Sequence, residues 1–552
     1  MAYWLPRLRT ILALRRAPWC ALAIGTILLI VLRDRGSRPG EAVAAAPKTA
    51  IAESAAATDR SPVDLVLTED ERFLVTVNQT SNSVSLVDVA AGRVVAELPC
   101  GEHPAAVATV PGSNRLLVSC MHAGTVEVLE VRESGTTANG RVTARLVKIG
   151  SIDVGMHPYG LAVTADGRAA YVSLSAAALV AKIDLAAMKI AGTIDVGRWP
   201  RQMALSPDGA KLAVSTSGDQ TVSIVELAAS KLAFQHRTGG GLNIGQLQID
   251  RAGAYVYFPW IVYRQFAVTP GNIRLGWVLA TRIARGKLDE NSYREAISLD
   301  VPGLAMGDPH GLALTPNEQW MVCTASGTHE LLVYRMADQR FMSVGGPGDL
   351  ADPKVVGDPR KFYRLPLGGR PMNVRAARDN RRIFVANYLL NCVQTVDLDR
   401  REVVSTIELG GPAEPSLARR GQEIFLDARR SLDQWYSCQS CHYEAGPNAT
   451  VMDTRNDGSD RTFKTVPALY NLPHTGPWTW HGWQRDLGAA MRKSVTETML
   501  GPPPSAEDVA ALLAFFAELQ PPPNPFAALA AENASAAATV ARGRAVFQSD
   551  KA

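Results

Sequence analysis

The sequence predicts a multidomain chain: an all-β seven-bladed β-propeller over residues 61–411, followed by an all-α domain over residues 412–523. Two observations carry this reading. One is an internal repeat of short apolar strands broken by Gly, Pro and Asp turns. The other is the end of that repeat at Gly410-Gly411-Pro412, after which apolar residues fall at helical spacing. Length agrees, because 552 residues exceed what one ordinary core accommodates. A hydrophobic content of 47%, a charged content of 20% and only seven cysteines describe a globular chain, neither disordered nor built on dense disulfides.

The repeat unit is a Pro-containing turn, an apolar strand, an Asp/Asn-Gly-type turn, a second strand ending in a small residue, and a third strand ending in Asp or Glu. One copy reads Gly155, His157-Pro158, Leu161-Ala162-Val163, Asp166-Gly167, Ala170-Tyr171-Val172-Ser173, then Lys182-Ile183-Asp184. The next reads Gly197, Trp199-Pro200, Met203-Ala204-Leu205, Pro207-Asp208-Gly209, Leu212-Ala213-Val214-Ser215, then Ser223-Ile224-Val225-Glu226. Comparable starts fall near Pro62, Pro104, Pro158, Pro200, Gly245, Pro309 and Pro371, with the Gly245 copy departing most from the pattern. A period of roughly 42 residues built from antiparallel strands means four-strand blades, and seven of them close a ring. A linear β-solenoid has a shorter period.

The N-terminus sets the compartment. Arg7, Arg9, Arg15 and Arg16 precede an apolar run from Ala17 to Leu32, and Arg33, Arg35 and Arg38 follow it. Residues 1–35 read as a signal anchor in preference to a cleaved signal peptide, for which the small residues Ala42 to Ala46 offer a cutting site; residues 36–60 are a linker. Either way the remainder is exported to the periplasm, tethered to the inner membrane if the segment stays. The formal charge of +4 does not point to nucleic acid, because residues 1–40 hold seven arginines against one aspartate and the rest of the chain carries 50 basic and 52 acidic side chains.

The repeats resemble the YVTN family of β-propellers, with Tyr171-Val172-Ser173 and Phe384-Val385-Ala386-Asn387 standing where that family's signature strand falls. The resemblance covers residues 61–411 and implies fold, not function. In such a ring the Pro turns bring His103, His157, Trp199, Arg201, His310, Arg370 and Asn373 to one mouth of the central channel. A histidine beside proline is usually a capped turn residue, but three at equivalent turns can also hold a metal or an anion. The fifth copy carries Tyr255, Tyr257, Phe258, Trp260, Tyr263, Phe266 and Trp277, which read as strand core or as a cover for the channel. Cys100, Cys120, Cys323 and Cys392 lie in the ring, where export permits disulfides in any of three full pairings.

Beyond the ring, Leu417 to Leu426 reads as an amphipathic helix leading to Cys438-Gln439-Ser440-Cys441-His442. Two thiols one helical turn apart reach the two vinyl groups of haem, and the adjacent imidazole faces the iron, so this C-x-x-C-H pattern predicts one covalent haem c on Cys438, Cys441 and His442. A thioredoxin-type pair needs no His and prefers a βαβ frame; a zinc site needs two more ligands at close spacing.

Downstream come Thr465-Val466-Pro467-Ala468-Leu469, then Gly476-Pro477-Trp478-Thr479-Trp480-His481-Gly482-Trp483, then an apolar helix through Phe516. Residues 417–519 thereby resemble the bacterial di-haem cytochrome c peroxidase superfamily, with its cytochrome c-like domains. The resemblance implies a sixth iron ligand on the segment before the last helix. Met499 holds that place, so the metal pair is His442 and Met499; His481 and Met491 compete for it, and an open position is the remaining alternative. The stretch Arg542-Gly543-Arg544-Ala545-Val546-Phe547 repeats the pattern Arg420-Gly421-Gln422-Glu423-Ile424-Phe425, so residues 524–552 read as the start of a truncated second cytochrome c-like domain or as an Ala-rich tail with a chance match. The expected function is electron transfer by an exported haem protein, with a redox partner protein or a small periplasmic substrate held by the propeller. The alternatives are a peroxidase-type oxidoreductase lacking its second haem domain, and a propeller binding module with an accessory cytochrome.

Overall fold

The computed structural model describes residues 58–136, 142–292, 294–343, 350–455, 457–459, 461–527 and 533–550. The N-terminal anchor or signal segment and most of the linker lie outside them. Among the described residues no helix is long and apolar enough to cross a membrane.

Seven antiparallel sheets follow one another from Pro62 to Glu408, and they form the seven blades of a β-propeller. Six blades open at a proline: Pro62, Pro104, Pro158, Pro200, Pro309 and Pro371. Blade 5 is the exception. Its inner edge is split into Gly241–Leu242 and Gln248–Ile249, both paired with the long strand Tyr255–Tyr263, and the expected start at Gly245 falls in the gap. Middle strands are the most buried and outermost strands the most exposed: Phe73–Asn78 is buried throughout, whereas in Glu402–Glu408 only Ile407 is buried. The aromatic residues of the fifth copy are mostly strand core, with Phe258, Trp260, Tyr257 and Tyr263 buried; Phe266 stays exposed with its ring 5.1 Å from that of Trp277.

The repeat unit has a physical basis in how blades join. Innermost strands of neighbouring blades converge on the channel without pairing, so their carbonyls need other donors. The small hydroxyl residue near the end of a second strand supplies one: Ser119 Oγ donates to Tyr159 O at 2.5 Å, Ser173 Oγ to Arg201 O at 2.7 Å and Thr324 Oγ1 to Met372 O at 2.8 Å, each in the next blade. Close approach also demands glycine on some inner strands. A Cβ on Gly160 would stand 2.2 Å from Arg201 O, and one on Gly311 would stand 2.3 Å from Met372 O.

The ring closes between blades 7 and 1 by packing of Pro371–Ala376 against Pro62–Leu67. Side chains stitch this seam. Asp64 Oδ1 accepts from Asn373 Nδ2 at 3.0 Å and Arg375 Nη2 at 3.2 Å, and Glu71 Oε1 accepts from the Arg378 amide at 2.7 Å.

After Glu408 the strands stop. The helix Leu417–Leu426, capped by Ser416, packs against the helix Ala506–Glu518, capped by Ser505. Gly421 makes this crossing tight, since a Cβ there would meet Ala511 O at 2.0 Å, and Phe425 fills the contact against Phe515 and Phe516. Between these helices lie the turn Cys438–Cys441, a two-strand ladder of Val451–Met452 with Lys464–Thr465, and the helix Leu487–Lys493. The segment is therefore not purely helical as expected. It is long loops pinned by short helices, with one small ladder. Its first helix drives Arg419, 6% exposed, into the blade 7–blade 1 seam, where the guanidinium donates to Ser61 Oγ (3.0 Å), Tyr388 O (2.7 Å) and Leu389 O (3.3 Å).

Candidate functional site

Cys438–Cys441 forms a single helical turn closed by the His442 amide donating to Cys438 O at 2.9 Å. The Ser437 amide donates to Ser440 Oγ at 3.0 Å, which tightens the start of the turn. The propeller holds it from outside: Asp308, at the entrance to blade 6, accepts from Ser437 Oγ at 2.6 Å and Ser440 Oγ at 2.5 Å, and Asn243 Nδ2 donates to Ser440 O at 3.0 Å. Asp308 is buried, and that burial raises its carboxyl against the lowering effect of the two serine hydroxyls. The start and the middle of the motif are thus held by side chains of the ring.

The two thiols are half-buried, and burial pushes each up to about 12. They stand as neutral thiols in an apolar pocket, a poor setting for a thiolate metal cluster. Among the described residues no group of three His, Cys, Asp or Glu side chains is placed to hold a metal ion. His442 is fixed by one contact, Nδ1 with Pro467 O at 2.9 Å. A carbonyl only accepts, so Nδ1 carries the proton and Nε2 keeps its lone pair, the tautomer an iron ligand requires. Burial holds this imidazole down to about 4, neutral at ordinary pH.

Met499 caps the π-turn Ser494–Thr498; it is 4% exposed, with Sδ 3.7 Å from Cys438 Sγ. Its pocket is lined by Trp435, Tyr436, Met452 and Val466, and from blade 5 by Tyr263 and Leu279. Met491 packs against a different cluster, the one that holds Phe425 and Phe515. His481 lies elsewhere: its Nε2 is 3.8 Å from Asp457 Oδ2, and its ring stacks on Trp483 at 4.2 Å. The residues fit a covalent haem: one turn carries both thiols and the imidazole, a carbonyl fixes the tautomer, and a buried thioether sits beside the first cysteine.

Two residues past His442 the chain enters the propeller mouth. Glu444, held at φ +52°, places its carboxylate 3.4 Å from Arg201 Nη2 and 3.5 Å from the Tyr159 hydroxyl. Arg201 stacks over Tyr443 at 4.3 Å, and Tyr470 OH donates to Glu444 O at 3.0 Å. Burial works to raise the Glu444 carboxyl, but Arg201, helped by His103 and Arg370, outweighs it and holds it below the usual carboxylate range. Of the mouth residues expected from the repeat, His103, His157, Arg201, His310, Arg370 and Asn373 gather here. His103 stacks on His122 at 4.1 Å with His157 5.9 Å beyond, while His310, Arg370 and Asn373 line one cavity with Glu444. The backbone explains the gathering: His103, His157, Trp199 and Asp308, each just before a blade-opening proline, all have φ between +52° and +56°. Asp308, Arg419 and Glu444 are the contributors that sequence reading passed over.

No family model matches the chain, and no curated protein matches it by sequence. Ring and site together define a seven-bladed β-propeller protein with an appended, partly helical segment. Among solved structures it is similar to hydrazine synthase from Kuenenia stuttgartiensis, with a TM-score of 0.52 and 20% identity over 61% of this chain and 96% of that one. At that identity the likeness is one of fold.

Proposed function

We propose that this is an exported electron-transfer protein carrying one haem c, bound through Cys438 and Cys441 and ligated by His442. The single observation that carries the reading is the His442 Nδ1 contact with Pro467 O at the end of the Cys438–Cys441 turn, which leaves Nε2 as a bare lone pair beside two paired thiols. When bound, such a haem supplies a one-electron Fe(III)/Fe(II) couple. The chain's own part is to orient His442 through Pro467, to offer the Met499 thioether from a buried pocket, and to exclude water with Trp435, Tyr436 and Val466. A thioether ligand raises the reduction potential and suits transfer over turnover. The resemblance of residues 417–519 to the cytochrome c peroxidase superfamily and of the ring to YVTN propellers supports the same reading. So do the arginines that bracket Ala17 to Leu32, from which we infer a periplasmic location with an inner-membrane anchor. The partner is a redox protein or a small periplasmic substrate met at the ring.

The test is periplasmic expression with haem-maturation machinery, followed by intact mass and a pyridine-haem spectrum. One thioether-linked haem per chain is expected. Met499→Ala removes the Met-to-iron charge-transfer band and lowers the potential, whereas His481→Ala leaves both unchanged. A chain without covalent haem refutes the proposal.

A further inference from the structure

The channel end capped by Glu444 encloses a cavity of about 30 Å³, room for about two waters or one solute of three heavy atoms. Tyr159, Gln202, His310, Arg370, Asn373 and Glu444 line its polar side, and Val63, Ala105 and Met372 its apolar side. Two of these groups lack protein partners among the described residues. Asn373 is 3% exposed; its Nδ2 donates to Asp64 Oδ1, which fixes the amide, and its Oδ1 accepts nothing. The Arg370 guanidinium lies 5.2 Å over the Tyr388 ring and makes neither hydrogen bond nor ion pair among the described residues. Arg201, in contrast, is committed to Glu444. His310, 7% exposed, brings no charge, because burial and the nearby Arg370 hold it down to about 3.

Arg201 takes the close ion pair with Glu444, and Arg370 acts on Glu444 and Asp308 only at longer range, so the hydrogen-bond donors of its guanidinium stay unmet among the described residues. A half-buried guanidinium with no close ion pair takes an anion, and its planar fork selects a carboxylate-like geometry. Asn373 Oδ1 argues for a donor instead. Magnitudes decide: a charge-assisted bond is roughly twice as strong as a neutral one, and a single ordered water satisfies the amide oxygen at little cost.

We propose that this cavity is a binding site for a small monovalent oxyanion of carboxylate shape, held by Arg370 at the inner mouth of the propeller. The proposal goes beyond the haem reading, since none of the lining residues is a haem ligand.

The test is calorimetric titration of the full-length protein with sodium formate at constant ionic strength, with formamide as the uncharged isostere and the Soret band followed in parallel. Saturable formate binding with an unmoved Soret band is expected, weakened about tenfold or more by Arg370→Met. Formamide binding as tightly as formate overturns the assignment of charge. An absence of saturable heat, or unchanged affinity in Arg370→Met, overturns the site. A Soret shift that tracks the formate heat places the anion at iron instead, and equally overturns it. Should Arg370→Met fail to fold, Gln202→Phe fills the cavity in its place: loss of the formate heat supports the site, and retention refutes it.

Discussion

Replacing Arg419 by leucine keeps the side-chain stem and removes only the guanidinium from the blade 7–blade 1 seam. Four hydrogen bonds go with it, to Ser61 Oγ, Gln422 Oε1, Tyr388 O and Leu389 O, and the Nε contact to Asp59 Oδ1 at 3.7 Å is lost as well. With the residue 6% exposed, water does not replace these partners. A buried group left unpaired costs about 1–3 kcal/mol, and breaking a buried charged cluster typically costs about 3–5 kcal/mol in total, because the terms overlap. Arg419→Leu is therefore expected to destabilise the folded chain by about 3–5 kcal/mol in urea unfolding followed by tryptophan fluorescence. A cycle with Ser61→Ala should show a coupling of about 1 kcal/mol or more. The reasoning fails if the loss is below about 1 kcal/mol, the value of an exposed ion pair. It fails equally if only the C-terminal segment loosens while the propeller transition stays put, since the structure gives Arg419 partners on both edges of the seam.

Asp308→Ala strips the acceptor from Ser437 and Ser440 and is expected to cost about 2–4 kcal/mol and to reduce the yield of covalently loaded protein, read from the ratio of haem absorbance to protein; unchanged yield and stability would show that the turn needs no support from the ring. His122 and His310 are both held down to about 3 from an ordinary 6.5, chiefly by burial, so the unfolded chain takes up their protons first: stability is full above pH 6.5 and drains as pH falls toward 3. For His310 alone this is on the order of 5 kcal/mol, and a flat urea midpoint between those pH values would contradict it. The Cys120 thiol stands beside Cys100 and, with burial, pushes the Cys100 thiol far up. Although both are free here, protein recovered from an oxidising compartment should have lost two hydrogens by mass and resist alkylation at Cys100 until reduced.

How much of this was legible in the sequence depends on the range of the interaction. The Pro turn, the Asp-Gly turn and the alternation of Ala170-Tyr171-Val172-Ser173 are local signals, and the strands Pro158–Val163 and Ala169–Leu174 fall on them. The small residue after Tyr171-Val172 was visible as part of the pattern, but its task was not, since Ser173 Oγ serves a carbonyl in the next blade. Blade 5 departed from the pattern because its inner edge is broken where Gly245 presses against His310 O, leaving no run of apolar residues to read. Nothing local marks Asp308, which stands just before Pro309, or Arg419, which shares its helix with Arg420. Their partners Ser437 and Ser61 lie 129 and 358 residues away, and no local pattern encodes such distances. The aromatic-His-Gly turn likewise gave no hint that His481 would face Asp457 and Trp483.

Every blade is one uninterrupted stretch of chain, and no strand is shared between the first and the last. The number of blades is then set by how many copies of the unit the gene contains, because no shared strand must be preserved when one is added or removed. Duplication of a whole unit would enlarge the circle while leaving each hydrogen-bonded sheet intact, and its geometric demands would fall on the junctions between blades and on the C-terminal segment that spans them. Such a circle is modular in its walls and constrained at its fastenings, so variation between relatives should collect in the blades and thin out where the fastenings lie.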